Sequence, residues 1–272
     1  MMKRRQSGFT LLELSLVLLI IGLIMAGILV GQSVVRTARI RNATGDLARY
    51  TQAFNNFRDK YKALPGDFYN ARNFWGTDSG GCPNASTGLP ATPYSAALQQ
   101  ATCNGNGDGH IGDGNLTAGG AQDFEVFRAW QQLSASGLMN DISTTAFNGI
   151  SGSGSSLNAV VGINVPMATM KEAGFTVIYQ YVTGGGDSNH FTNLNNHVLI
   201  LGTAYTNGLT YGALLTPIET LAIDNKLDDG LPGSGNIQTF KTTLNPNCTT
   251  SATAYNTGYT SNACAVMYIT NF

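Results

Sequence analysis

The sequence predicts an α+β protein: one long N-terminal helix packed on an antiparallel sheet, with loop excursions and two short helices. Three observations carry that reading. An apolar run from Leu14 to Val30 passes, with no proline before residue 62, into a stripe at spacings of three and four: Ile40, Ala43, Leu47, Tyr50, Phe54, Phe57 and Tyr61. Such spacing is the mark of a helix with one buried face. Segments that alternate apolar and polar residues then gather late in the chain, at 174–182, 197–203, 209–215 and 265–270, and read as strands. Between helix and strands the chain is rich in Gly, Asn, Ser and Thr, the composition of loops.

Taken in order, residues 9–62 would form a helix of roughly 80 Å at 1.5 Å per residue. Arg41, Thr44, Asn55, Arg58 and Asp59 lie off its stripe, and "ALPGDF" closes it with a Pro-Gly turn of the type II composition. A second helix is expected at about 121–136, with Phe124, Phe127, Trp130 and Leu133 on one face and Gly137 as its C′ residue. "SGSGSS" at 151–156 reads as a flexible loop. "TPIETLAIDNK" at 216–226 opens with a capping box, Thr216 and Glu219, and has Pro217 at the first helical position.

Composition narrows the function classes. Charged residues are 11% of the 272, the net charge is −1, and hydrophobic residues are 43%. So weak a charge gives no reason to expect nucleic acid, and so many apolar residues exclude a disordered chain. The four cysteines fall into two local pairs, Cys82/Cys103 and Cys248/Cys264. Pairing within each is the simplest of three connectivities, which sequence alone does not choose between, and it would suit an oxidising compartment. No GxSxG, HExxH or P-loop occurs, so an enzyme is not expected. His190 and His197 have no paired Cys or nearby Glu and read as surface or strand-end residues; Trp75 and Trp130 read as core.

The N-terminal segment is the most informative. Lys3, Arg4 and Arg5 precede the apolar run, which places the N-terminus in the cytoplasm and sends the rest across the membrane. A signal peptide has a shorter apolar core and a polar stretch after its cleavage site. A plain anchor fits the length but leaves Glu13 unexplained, because a carboxylate inside an apolar run is unfavourable without a partner. "KRRQSGFTLLELSLVLLIIG" resembles the N-terminus of type IV prepilins and of the pseudopilins of type II secretion: a basic leader, then Gly8, Phe9 and Thr10, with Glu13 fifth counting from Phe9. The resemblance implies a pilin-like fold, cleavage by a prepilin peptidase between Gly8 and Phe9, N-methylation of Phe9, and pairing of Glu13 with the N-terminal amine of a neighbouring subunit. It implies a leader at 1–8, a transmembrane and assembly half-helix at 9–32, an amphipathic half-helix at 33–62 and a head domain at 63–272. The subunit would sit in a bacterial inner membrane with a periplasmic head and then join a periplasmic or cell-surface filament of like subunits. Pilus subunit, secretion pseudopilin and minor or tip adhesin all fit. One departure stands out: many members carry proline where this chain has Val30, between Gly27 and Gly31.

"NGNGDGHIGDGN" at 104–115 is a candidate Ca²⁺ loop. Asn104, Asn106 and Asp108 occupy positions 1, 3 and 5 of an EF-hand-like pattern, Gly109 the sharp turn, His110 the backbone-carbonyl position and Ile111 the apolar anchor. Asn115 replaces the usual glutamate, which Glu125 or Asp123 could supply. The competing reading is a Gly/Asn turn array that needs no ion. "EVFRAWQQL" at 125–133 resembles the helix that follows such a loop in long pilin-like proteins. Asp224, Asp228 and Asp229, in "IDNKLDDGLPGSG", form a second candidate cation cluster or a turn held by Asp side chains. GxGxxG at Gly107, Gly109 and Gly112 lacks a βαβ setting and does not indicate a dinucleotide.

Overall fold

The computed structural model describes residues 10–78, 82, 101–112, 125–139, 147, 149, 157–170, 172–206 and 208–272. The chain divides into two compact units, Met1–Arg41 and Asn42–Phe272. Helix α1 covers Leu11–Tyr61, so its residues up to Arg41 belong to the first unit and the rest to the second. It ends where Lys62 turns left-handed at φ +57°, its N–H donating to Arg58 O at 2.8 Å.

In the second unit the apolar stripe is the core. Ala43, Leu47, Tyr50, Phe54 and Phe57 are buried. Trp130 of α3 (Glu125–Ala135) meets Tyr50 and Phe54 edge-on at 5.3 and 5.4 Å. Tyr50 also packs on Phe175, and the C-terminal Phe272 stacks on Phe54 at 4.6 Å. Two polar residues of α1 are buried as well. Asp46 accepts from Thr169 N and Oγ1, both at 2.8 Å, and Thr44 accepts from Lys226 Nζ at 3.2 Å. The Pro-Gly turn seats Gly66 at φ +90° so tightly that a Cβ there would lie 2.5 Å from Glu125 O. Gly66 N donates to Gln132 Oε1 at 2.7 Å, which ties the end of α1 to α3.

The main sheet has four antiparallel strands in the order β1-β2-β6-β3: β1 Ala173–Val182, β2 Leu194–Thr203, β6 Val266–Ile269 and β3 Ile237–Gln238. A separate hairpin pairs β4, Thr249–Ser251, with β5, Ala254–Tyr255. Three of the four expected strands are present. The fourth, 209–215, makes only single bridges, Gly212 to Thr203 and Leu215 to Cys264. It crosses β2 rather than running along it, over Gly202, where a Cβ would lie 2.3 Å from Thr210 O. The short helix α2, Ala71–Trp75, precedes the loop region. Helix α4, Pro217–Leu227, has the expected capping box: Glu219 N donates to Thr216 Oγ1 at 3.3 Å, and Thr216 N to Glu219 Oε2 at 2.9 Å. Disulfides join Cys82 to Cys103 and Cys248 to Cys264. The expected loop at 151–156 and the first residues of the second helix, 121–124, lie outside the described residues.

Candidate functional site

Two regions carry chemistry. The first is the start of α1. Gly8 and Phe9 lie outside the described residues, which begin at Thr10. Thr10 and Glu13 close a reciprocal cap: Thr10 N and Oγ1 each donate to Glu13 Oε2 at 2.9 Å, and Glu13 N donates to Thr10 Oγ1 at 3.2 Å. Thr10 therefore gives Glu13 a polar partner within the chain, at the helix end where the dipole favours an anion. Beyond Glu13 the described large apolar side chains of residues 14–28, and those of Val30, Val34 and Val35, are exposed. The helix is long and apolar enough, by length and composition, to cross a membrane. It runs without a break through Val30, and added Cβ atoms at Gly27 and Gly31 would meet nothing within 4 Å.

The second region is the loop 104–112, whose backbone is held almost wholly by titratable side chains. Asp67, just past the Pro-Gly turn, accepts from Gly107 N at 2.6 Å, Asp108 N at 3.1 Å and Gly109 N at 2.9 Å. Glu125, at the start of α3, accepts from Asn106 N at 2.9 Å and Gly112 N at 3.1 Å. His110 N donates to Asp108 Oδ1 at 2.8 Å, and Ile111 N to His197 Nε2 at 3.0 Å. Every amide from 106 to 112 thus reaches an Asp, Glu or His. The carboxylates of Asp67, Asp108 and Glu125 converge, offering oxygens that all lie within 4.8 Å of one another.

Asp67 and Glu125 are buried while Asp108 is exposed. Burial is the main reason the Glu125 carboxyl is pushed up to about 8; Asp67 and Asp108 add to the rise, and the two N–H donors oppose it. Asp67 is raised for the same first reason. His197 is held down at about 4, chiefly by burial and next by His110, which keeps Nε2 a neutral acceptor for Ile111. Three clustered carboxylate oxygens form a hard, all-oxygen donor set, the kind that suits Ca²⁺.

The sequence-predicted ligands separate here. Asp108 and Glu125 come together. Asn106 lies beside them, its Nδ2 donating to Asp108 Oδ2 at 2.7 Å. Asn104 turns away, accepting from Arg72 N at 2.8 Å, and the His110 ring stacks on Tyr179 at 3.7 Å. The third carboxylate, Asp67, is one that the loop pattern does not reach, since it lies far upstream; its signal is only an Asp directly after a Pro-Gly turn. Asp224, Asp228 and Asp229 also gather within 4.8 Å. Their carboxylates hold the turn: Asp224 accepts from Tyr255 Oη at 2.7 Å and Gly230 N at 3.0 Å, Asp228 from Ile237 N at 3.0 Å, and Asp229 from Leu231 N at 2.9 Å. Asp224 is raised to about 6, first by burial.

Residues 3–29 match the family model of the prokaryotic N-terminal methylation motif. No curated protein and no solved structure matches the chain. The N-terminus is therefore a prepilin-type segment of the type IV pilin and pseudopilin kind, and the long apolar helix, antiparallel sheet and two disulfides fit an α+β pilin-like fold.

Proposed function

We infer that this chain is a structural subunit of a type IV pilus-like filament. It is made as a prepilin, cleaved after Gly8 by a prepilin peptidase, methylated at Phe9 and polymerised through its N-terminal helix. Residues 1–8 are the leader, 9–32 the membrane and assembly half-helix, 33–62 its amphipathic continuation and 63–272 the head. The subunit waits in the bacterial inner membrane with its head in the periplasm. The observation that carries the reading is the methylation motif at residues 3–29, which sets Glu13 one helical turn inside the proposed cut. A charge in an apolar setting needs a partner, and the amine of a neighbouring subunit supplies one stronger than Thr10. Mass spectrometry of protein from native membranes tests the processing: a methylated Phe9 N-terminus is expected, and an intact leader would sink the reading. Glu13→Ala should leave cleavage intact and abolish filaments.

The 272-residue length and the Gly/Asn/Ser/Thr-rich loop sequences favour a minor or specialised subunit over a compact major pilin, and a pseudopilin of type II secretion is the alternative. Deletion separates these: lost piliation supports the pilus subunit, and lost secretion with normal pili supports the pseudopilin. We further propose Ca²⁺ as the ligand of Asp67, Asp108 and Glu125, supported by their convergence and all-oxygen chemistry. Chelation should lower the melting temperature of the full chain in detergent, and Asp108→Ala should remove that response.

A further inference from the structure

We propose that the head carries an aromatic knob and a groove through which consecutive copies of this chain dock on one another along the filament. The inference rests on the reading of the chain as a filament subunit. All the residues concerned belong to the second unit, Asn42–Phe272. There the apolar stripe of α1 packs on Phe175 of β1 and on Phe272, and a groove opens beside the helix towards the β6-β3 end of the sheet. It measures about 600 Å³ with its open mouth, and its lining includes Leu47, Ala48, Thr51, Leu227, Asn236 and Tyr268. Ala48 and Leu227 present exposed apolar surface to it.

The knob is an aromatic cluster just past the end of α1. Tyr69 and Phe74 are 65% and 57% exposed, and Phe74 is backed by Tyr61 and by the buried Phe68, each at 5.4 Å. Lys60, Lys62 and Arg72 are exposed around it, with Lys60 Nζ 5.1 Å over the Tyr61 ring. Asp59 is the one exposed acidic residue from 58 to 72. The rim of the groove has the opposite sign. Asp228 and Asp229 follow directly on Leu227, and Asp228 accepts from the backbone N–H of Asn236. Lys226 is the cation beside them, its Nζ on Thr44 Oγ1 at 3.2 Å. Asp229 is held by Leu231 N and Ser234 Oγ, and such neutral donors leave both carboxylates charged. A cationic, aromatic projection thus matches an acidic, partly apolar recess on the next copy.

Geometry makes this contact a repeating one. At 100° per residue, Lys60 and Tyr61 lie roughly 140° and 120° round α1 from Asn55, which also lines the groove. Tyr61 is also roughly 15 Å beyond Thr51 along the axis. Unlike surfaces on opposite sides, offset along the axis, repeat from copy to copy as a helix and do not close into a ring. Each ring buries about 150–250 Å² at most, so Tyr69 and Phe74 fall well short of the ~1,200 Å² of a stable interface. The contact therefore acts between subunits that their N-terminal helices already align.

The test uses filaments sheared from cells that express the full chain as A48C, F74C or A48C/F74C, under mild oxidation. Both positions are exposed, and the four native cysteines are already paired. On non-reducing gels the double variant should run as a ladder of dimers, trimers and higher multimers that reductant collapses. Each single variant should run as monomer, and the two singles expressed together as dimers. Filaments in which the double variant stays monomeric overturn the contact. Should the double variant fail to assemble, the co-expressed singles decide: dimers uphold the contact and monomers overturn it. Dimers from F74C alone overturn it in favour of two knobs meeting face to face. A48C joined to a protein of another mass overturns it in favour of a different subunit in the groove. Wild-type chain missing from the sheared filaments overturns the filament reading itself.

Discussion

The carboxylate-held loop makes a prediction whose sign is unusual for an acidic group. In the folded chain the Glu125 carboxyl sits at about 8, against an ordinary value of 4.5. Between those values the native state keeps a proton that the unfolded state has released, so stability falls as pH rises. His197 acts in the opposite sense below its ordinary 6.5, because its folded value is about 4. The Glu125 effect is therefore read between pH 6.5 and 8. Over that window one group moving from nearly full to half protonation loses about 1.6 kcal/mol, or roughly 3–6 °C in Tm for a unit of this size. Asp67, raised by the same burial, does not reverse the sign.

The assay is thermal melting of the full chain in detergent, with chelator or with saturating Ca²⁺. With chelator, Tm should fall from pH 6.5 to 8. With Ca²⁺ the slope should vanish, because the cation neutralises the three carboxylates and binds only the native state. Glu125→Gln should flatten the chelator profile and abolish the Ca²⁺ response. Its amide oxygen can still accept from Asn106 N, while the N–H of Gly112 loses its acceptor, so a pH-independent loss of about 1–3 kcal/mol accompanies it. A flat chelator profile in the wild type, or a slope unaffected by Ca²⁺, would refute the reasoning.

Other expectations concern the frame around that loop. Trp130→Ala empties the space between Tyr50 and Phe54 and should lower stability by about 3–5 kcal/mol in denaturant titration, with the midpoint moving and the slope unchanged. Replacing Cys248 and Cys264 together by serine opens a loop of sequence separation 16 and should destabilise by about 3 kcal/mol, visible as a lower urea midpoint than under non-reducing wild-type conditions. In the Glu125→Gln background, where the opposing Glu125 titration is gone, acid should destabilise through His197: its contribution is full above about 6.5 and is lost as pH falls towards 4, up to about 3 kcal/mol. His197→Gln should flatten that acid branch, and an unchanged branch would remove His197 from the account.

What was legible in the sequence was whatever a local period or cap encodes. The stripe Ala43, Leu47, Tyr50, Phe54 and Phe57 is buried as its spacing predicts, and Thr216 and Glu219 form their capping box. Alternation located β1 because one face of that strand meets the helix through Phe175. The failures are non-local. Nothing near Thr44 or Asp46 announces that Lys226 and Thr169 arrive to satisfy them, so Thr44 read as off the buried face. Residues 209–215 alternate like a strand, but Gly202 and Gly212 let that segment cross β2 instead of extending along it. Asp67 was invisible for the same reason: a turn brings it to the loop, and the EF-hand register points to Asn104, which Arg72 N claims.

The two chemically loaded regions pose a related physical problem: Glu125 is buried away from water, and Glu13, exposed in the chain, would lose its water in the proposed membrane setting. The Glu13 carboxylate meets it with two hydrogen bonds from one neighbour, Thr10, which are weaker than an ion pair and leave the carboxylate open to exchange for a cation. Asp67 and Glu125 meet it with five backbone amides, which fix the loop but do not neutralise two buried charges beside Asp108. A proton or a metal ion supplies that missing charge. On the proposed readings, the same deficit would pair Glu13 with another subunit's amine and Glu125 with a cation. The difference would lie in access: the proposed partner of Glu13 is another subunit's terminus, whereas a cation for Glu125 would come from solution, past the exposed carboxylate of Asp108.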